Sequence, residues 1–267
     1  AGVVGTRIVT SALNAALANG IFGHADETDD VHPPSHSHPG NSIVPATLAM
    51  AERQQQPGMA LLRAMVLGYD INARVLLAVK YQQLTKTGFH CGSKGGVFGA
   101  GAACGALLKL DARRIRYLLS YCAQQAAGLR TNLRAAEHLE KAYVCGGMTA
   151  QNGVAAAQMT ASGFTAVDDV FTGDPNFLTT FSRDPDPEAL VRGLGRDYEI
   201  MRCGIKRWSA GGPIQAPLHV LHELMQQHRF KADDVAKLVA RMPDKELAIV
   251  DNRDIENITL QHLLAVM

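Results

Sequence analysis

KTGFHCGSKGGVFGAGAACGALLKLD, residues 86–111, admits two opposite readings. Its core, Gly99 to Cys104, has the form GxGxxC, which falls one glycine short of the GxGxxG turn that cradles a dinucleotide pyrophosphate. That turn must also follow a β-strand, and nothing before Gly99 has strand character. What remains is a run, 95–109, of Gly, Ala and Val with Phe98, Leu107 and Leu108. Residues this small let helices approach closely, so the run is read as a tightly packed buried helix.

Outward from it the helical pattern recurs. Ile8, Leu13, Leu17, Ile21 and Phe22 among alanines predict a helix over 6–23. Further helices are expected over 43–55 and 59–80, over 112–127 with Asp111 as N-cap, over 148–163 with Thr149 as cap, and over 213–228. Residues 128–147 are less regular. Residues 164–187, with Gly173, Pro175, Pro185 and Pro187, read as irregular surface chain. After about residue 195 the character shifts: YEIMRC (198–203) has strand composition and DDVAKLVARM (233–242) alternates like a strand. The expected fold is mainly α, with a helical-bundle domain over 1–195 and the start of a smaller α+β lid domain over 196–267. Both ends fall inside elements, so the chain reads as a fragment truncated at both ends.

Apolar residues make up 47% and charged residues 19%, a globular balance rather than a disordered one. A net charge of +1 gives no attraction to nucleic acid or to an anionic membrane. No run reaches the length of a membrane span. Five cysteines, odd in number and without a CxxC pair, point to free thiols in a reducing cytoplasm.

The chemistry concentrates in HADETDDVHPPSHSH, residues 24–38: four of the ten histidines and four carboxylates, with prolines that make most of it loop. Crowded carboxylates repel, so one can hold a proton, and a histidine beside them can act as base near neutral pH. The bland reading is a hydrogen-bonded network that satisfies the loop backbone, and Asp29 and Asp30 are its first candidates. A metal site is the third reading, although HxHP fits neither HExxH nor a tetrahedral zinc spacing. His90, in GFHCGSKGG, divides evenly between catalyst and loop histidine. Lys141, in HLEKAYVCGG, precedes a glycine pair and an expected helix start. Lys206, in CGIKRWSAGGP, lies between the strand-like 198–203 and a Pro-started helix. A lysine together with a helix N-terminus makes an anion site, while a solvated lysine is the plainer reading of either alone. Ser209, Gly211 and Gly212 favour the anion site at Lys206.

Four blocks now fall in order: NGIFGHADETDDVH with SHPG (19–40), the glycine-rich segment 86–111, LEKAYVCGGMTAQNGVAAA (139–157) and CGIKRWSAGGPIQAPL (203–218). In these the chain resembles the MmgE/PrpD family, which includes 2-methylcitrate dehydratase, cis-aconitate decarboxylase and an iminodisuccinate epimerase. The resemblance implies a helical domain that supplies most of the active site, a lid, no cofactor or metal, a homodimer, and small carboxylate substrates. It implies catalytic roles for His38, His90, Lys206 and Lys141, the last with its spacing off by about one residue. Glu27 stands where relatives often carry aspartate in HxxDxDDT, and Val31 where they often carry threonine; both departures point to a substrate other than cis-aconitate. Relatives also extend beyond both ends of this chain.

The expected function is a cofactor-independent lyase or isomerase that takes a proton from next to a carboxylate. His38 or His90 would be base or acid and Glu27 would assist. Lys141 and Lys206 would spread the enolate charge, and Asp30, His32, Arg207 and Ser209 would bind substrate. The alternatives are a metal-dependent hydrolase on the His/Asp loop and a carboxylate binder without turnover.

Overall fold

The computed structural model describes residues 1–135 and 137–267. Among them the chain forms α-helices joined by short 3-10 turns, with isolated β-bridges in place of a sheet. It divides into two compact units, one of Ala1–Ala25 with Asp29–Ile205 and one of Asp26–Thr28 with Lys206–Met267.

The first unit holds α1 (Ala12–Ala25), α2 (Gly40–Arg53), α3 (Gly58–Ala78), α4 (Tyr81–Lys86), α5 (Cys91–Leu107), α6 (Ala112–Gln124), α7 (Leu139–Ala142), α8 (Met148–Ala161) and α9 (Phe177–Phe181). The glycine-rich segment is α5, and it is the axis of this unit, buried at nearly every position. Helices α2, α3, α6 and α8 pack around it. The glycines set the spacing: a Cβ on Gly99 would lie 2.5 Å from the Gly68 carbonyl oxygen of α3. Backbone therefore meets backbone at that crossing, and even alanine is too large. Ile43, Met50, Leu76, Phe98, Leu118 and Val154 fill the layers between. Full burial of one such side chain contributes about 1.5–3 kcal/mol.

Local signals place some of the ends. Asp111 Oδ1 accepts from Arg114 N at 2.9 Å, the cap its sequence position requires. α1 begins later than the apolar pattern suggests, because Ser11 Oγ accepts from Asn14 N at 3.2 Å while residues 1–10 turn back on themselves through a Gly2–Val9 bridge. Thr149 is not a cap. The chain runs from α7 through a π-helical turn, Tyr143–Gly147, directly into α8, and the Thr149 hydroxyl donates back to the Cys145 carbonyl at 2.7 Å. Residues 164–187 are more than surface chain: α9 buries Phe177 and Leu178, and the Phe177 ring lies 4.9 Å from Phe98. A buried ion pair on α3 ties down the chain beyond α9. Arg74 Nε donates to Asp70 at 2.7 Å, and its other nitrogens reach the carbonyls of Arg192 and Asp197.

The second unit holds α10 (Gln215–His228), α11 (Asp244–Val250) and α12 (Leu260–Val266) around Ala210, Ile214, Leu218, Val250, Leu260 and Leu264. The strands expected after residue 195 do not form among the described residues. Glu199–Arg202 is a 3-10 turn, and 235–241 is exposed chain without regular structure. Alternating side chains make a strand only when a neighbouring strand takes up its backbone groups, and here none does. The sheet part of the α+β expectation is thereby corrected, while the mainly helical fold holds. Among the described residues no helix is long and apolar enough to cross a membrane.

Candidate functional site

The 24–38 loop draws its histidines from the ends of two helices. His24 lies fully buried in the last turn of α1, and His38 comes two residues before α2. Asp29 sits between them. Its Oδ2 is 2.7 Å from His24 Nδ1, 2.9 Å from Asn41 Nδ2 and 3.5 Å from His38 Nδ1. His38 Nδ1 also donates to the Asp30 carbonyl at 2.8 Å. The His24 ring lies 5.2 Å from that of His38 and stacks on His138 at 5.2 Å, and His138 Nδ1 is 3.1 Å from the Ala25 carbonyl.

These partners place protons. A carbonyl oxygen only accepts, so His38 Nδ1 carries hydrogen and Nε2 holds the lone pair in the neutral ring. The His38 side chain is 23% exposed.

His90 is built the opposite way. It caps α5: its Nδ1 accepts from Ser93 N at 3.3 Å, which puts the hydrogen of the neutral ring on Nε2. That atom faces Cys145 Sγ at 3.3 Å. The residue as a whole is partly buried, but its ring is withdrawn from water. This desolvation, reinforced by the charges of Lys141, His24, His38 and Arg130, lowers its pKa to about 3. Above that pH the His90 ring is neutral with its hydrogen on Nε2, within the electrostatic reach of a lysine and an arginine.

Lys141 does not stand at the start of α8 as its sequence position suggests. It belongs to α7, inside the continuous helical run, and acts on His90 as a charge. Asp30 holds the loop to α2. Its Oδ1 accepts from Gly40 N at 2.9 Å and it hydrogen-bonds Tyr69, while burial raises its pKa. His32 is fully buried, with Nδ1 2.7 Å from Ser35 Oγ and Nε2 3.0 Å from Glu199. Burial lowers its pKa, against the pull of Glu199. Both residues, expected to touch substrate, bind protein groups here.

Glu27, Lys206, Arg207 and Ser209 belong to the second unit. Lys206 Nζ donates to Glu27 Oε2 at 2.7 Å and to the Glu27 carbonyl at 2.9 Å, and both side chains are 2% exposed. Glu27 adopts φ 53°, a left-handed conformation that costs a non-glycine residue about 1–2 kcal/mol. The double grip of Lys206 offsets that cost. Arg207 is exposed and lies over Trp208, and Ser209 is exposed.

Donor atoms of His24, Asp29 and His38 all lie within 4.8 Å of one another, a set that could hold a metal ion. Several participants escape a sequence reading. Asp29 looks like loop support, yet it orients two histidines. Cys145 and Arg130 come to His90 through tertiary contacts. Lys94 is fully buried, its ammonium on the Ala126 and Ala127 carbonyls and over the Phe89 and Phe181 rings, and desolvation lowers its pKa to about 8.

A family model described as the MmgE/PrpD N-terminal domain matches residues 1–190. A cis-aconitate decarboxylase of Aspergillus terreus is 25% identical over 243 residues, covering 85% of this chain and 48% of its own length. A cis-aconitate decarboxylase-like protein, oryM, of Aspergillus oryzae is 28% identical over 83% of this chain and 48% of its own. The cis-aconitate decarboxylase of Mus musculus is 24% identical over 86% and 48%. The chain spans about half the length of the curated relatives it matches.

Proposed function

This chain belongs to the MmgE/PrpD family, and from that premise we propose that the protein is a cofactor-independent lyase or isomerase of a small di- or tricarboxylate. Its reaction would start with removal of a proton next to a carboxylate. The observation that carries this reading is the opposed proton placement on His38 and His90.

His38 Nε2 takes the proton. The electron pair of the broken C–H bond moves into the carboxylate as an enediolate. His90 Nε2–H donates a hydrogen bond to that developing charge without giving up its proton, as a neutral imidazole suits, and Lys141 and Arg130 stabilise it as cations. In a dehydration the pair then returns to form the alkene, the C–O bond breaks, and the proton on His38 leaves with the hydroxide as water. Reprotonation of the same carbanion on its other face would be epimerisation. Decarboxylation reaches the same carbon framework when the pair comes from a C–C bond. The names of the relatives favour a lyase. A homodimer in the cytoplasm completes the proposal.

Proton NMR of the complete protein in deuterated buffer tests it, with citrate, 2-methylcitrate, cis-aconitate and iminodisuccinate as candidates. Deuterium entering one carbon next to a carboxylate, in substrate or product, is the expected result. The spacing of His24, Asp29 and His38 supports a second reading, a metal-dependent hydrolase. Stoichiometric zinc, manganese or iron in the purified protein, with no exchange across the panel, would replace the first reading with the second.

A further inference from the structure

Asn132 is 6% exposed, and neither its Oδ1 nor its Nδ2 has a hydrogen-bond partner among the described residues. A buried carboxamide with donor and acceptor both unmet is uncommon, because each atom gives up water and receives nothing. Its position is equally specific. Asn132 stands on the 3-10 turn Arg130–Arg134. On one side this stretch pairs with the chain that presents His90: Arg130 N donates to the Gly88 carbonyl at 2.9 Å, and His90 N to the Gly128 carbonyl at 3.1 Å. On the other side Thr131 Oγ1 donates to Glu140 at 2.8 Å, next to Lys141 on α7. The turn that carries Asn132 therefore lies between the segment that carries His90 and the helix that carries Lys141.

We propose that Asn132 is a substrate-binding residue that reads two adjacent groups of the substrate. Its Nδ2 donates to a carboxylate oxygen, and its Oδ1 accepts from a hydroxyl or amino group on the neighbouring carbon. A carboxylate alone offers only acceptors and leaves Oδ1 unmet; an apolar carbon satisfies neither atom. The substrate class narrows accordingly to di- or tricarboxylates with an O–H or N–H beside a carboxylate. This inference rests on the first unit being the carboxylate site.

Titration calorimetry on the complete protein with L-malate and with succinate tests it, alongside an Asn132→Leu variant. Leucine has a similar shape and no polar atoms, so the variant keeps or raises its melting temperature. Wild type should bind malate more tightly than succinate. Loss of a hydrogen bond to a charged group weakens binding about ten- to hundredfold, so N132L should lose that much for malate and lose the preference over succinate. If both proteins bind malate equally, Asn132 has no such role, though the carboxylate reading stands. If wild type binds neither acid and shows no proton exchange, both fall. If wild type prefers succinate, the hydroxyl or amino contact is wrong. Should leucine prevent folding, Asn132→Asp keeps the shape and sets an anion against the carboxylate, so undiminished malate affinity in that variant would overturn the proposal.

Discussion

At the scale of single residues, the site depends on which ring atom of each histidine carries hydrogen. His38 and His90 are the same residue type, yet a backbone carbonyl at one Nδ1 and a backbone N–H at the other place their hydrogens on opposite ring nitrogens. His38→Gln removes the base and keeps the size, so exchange of the substrate proton should fall about 10²–10⁴-fold with the melting temperature nearly unchanged. Exchange at the wild-type rate would refute the assignment. The Glu27–Lys206 pair calls for a different experiment. Both groups are buried, so Lys206→Met removes one half of a buried ion pair and should cost about 3–5 kcal/mol in denaturant unfolding. Adding Glu27→Gln should recover much of that loss, and additive losses in the double variant would show that the pair is not coupled.

At the scale of elements, α5 shows what glycine does without a turn. Its helix propensity is poor, since each internal glycine costs about 0.5–1 kcal/mol relative to alanine. The absent Cβ is nonetheless what lets α3 come within backbone contact. Gly99→Ala should therefore destabilise by about 1–3 kcal/mol despite its better propensity, read as a lower urea midpoint. Stabilisation would mean that the two backbones have room to part. The α5 cap also sets the tautomer of His90, because the nitrogen that accepts from Ser93 N leaves the hydrogen on Nε2. The sequence shows a histidine in a glycine-rich loop; only its bond to Ser93 N shows that it caps α5 and where its hydrogen lies.

At the scale of the whole molecule, the burial of His90 couples folding to pH. Its folded pKa, about 3, lies below the ordinary 6.5, so the unfolded chain binds an extra proton between those values. Stability then rises with pH through that window and is lost as pH falls from 6.5 toward 3. Urea midpoints measured from pH 4 to 7 should climb for wild type, and less steeply for His90→Gln. Equal slopes would assign the acid sensitivity to other groups. Arg74 works at the same scale, since a guanidinium on α3 that reaches the carbonyls of Arg192 and Asp197 holds the chain that brings Glu199 to His32.

Periodicity and small-residue composition were enough to determine the helices, because an apolar stripe and a local cap are properties of neighbouring residues; Asp111 and the α5 segment are the clear cases. The dense His/Asp loop was visible for the same reason, whereas His38 and His90 were singled out by the family resemblance. What only the tertiary structure decided was pairing. The strand-like runs after residue 195 found no strand to pair with and stayed irregular or turned. Thr149 lost its cap role because a π-helical turn through the glycine pair joined α7 to α8. Lys206 met Glu27, 179 positions away in sequence, instead of a helix end. Asn132 carries no sequence signal at all, because its meaning lies in partners it does not have. A hydrogen bond between distant residues depends on where the packed backbone leaves each donor and acceptor, and no local pattern encodes that position.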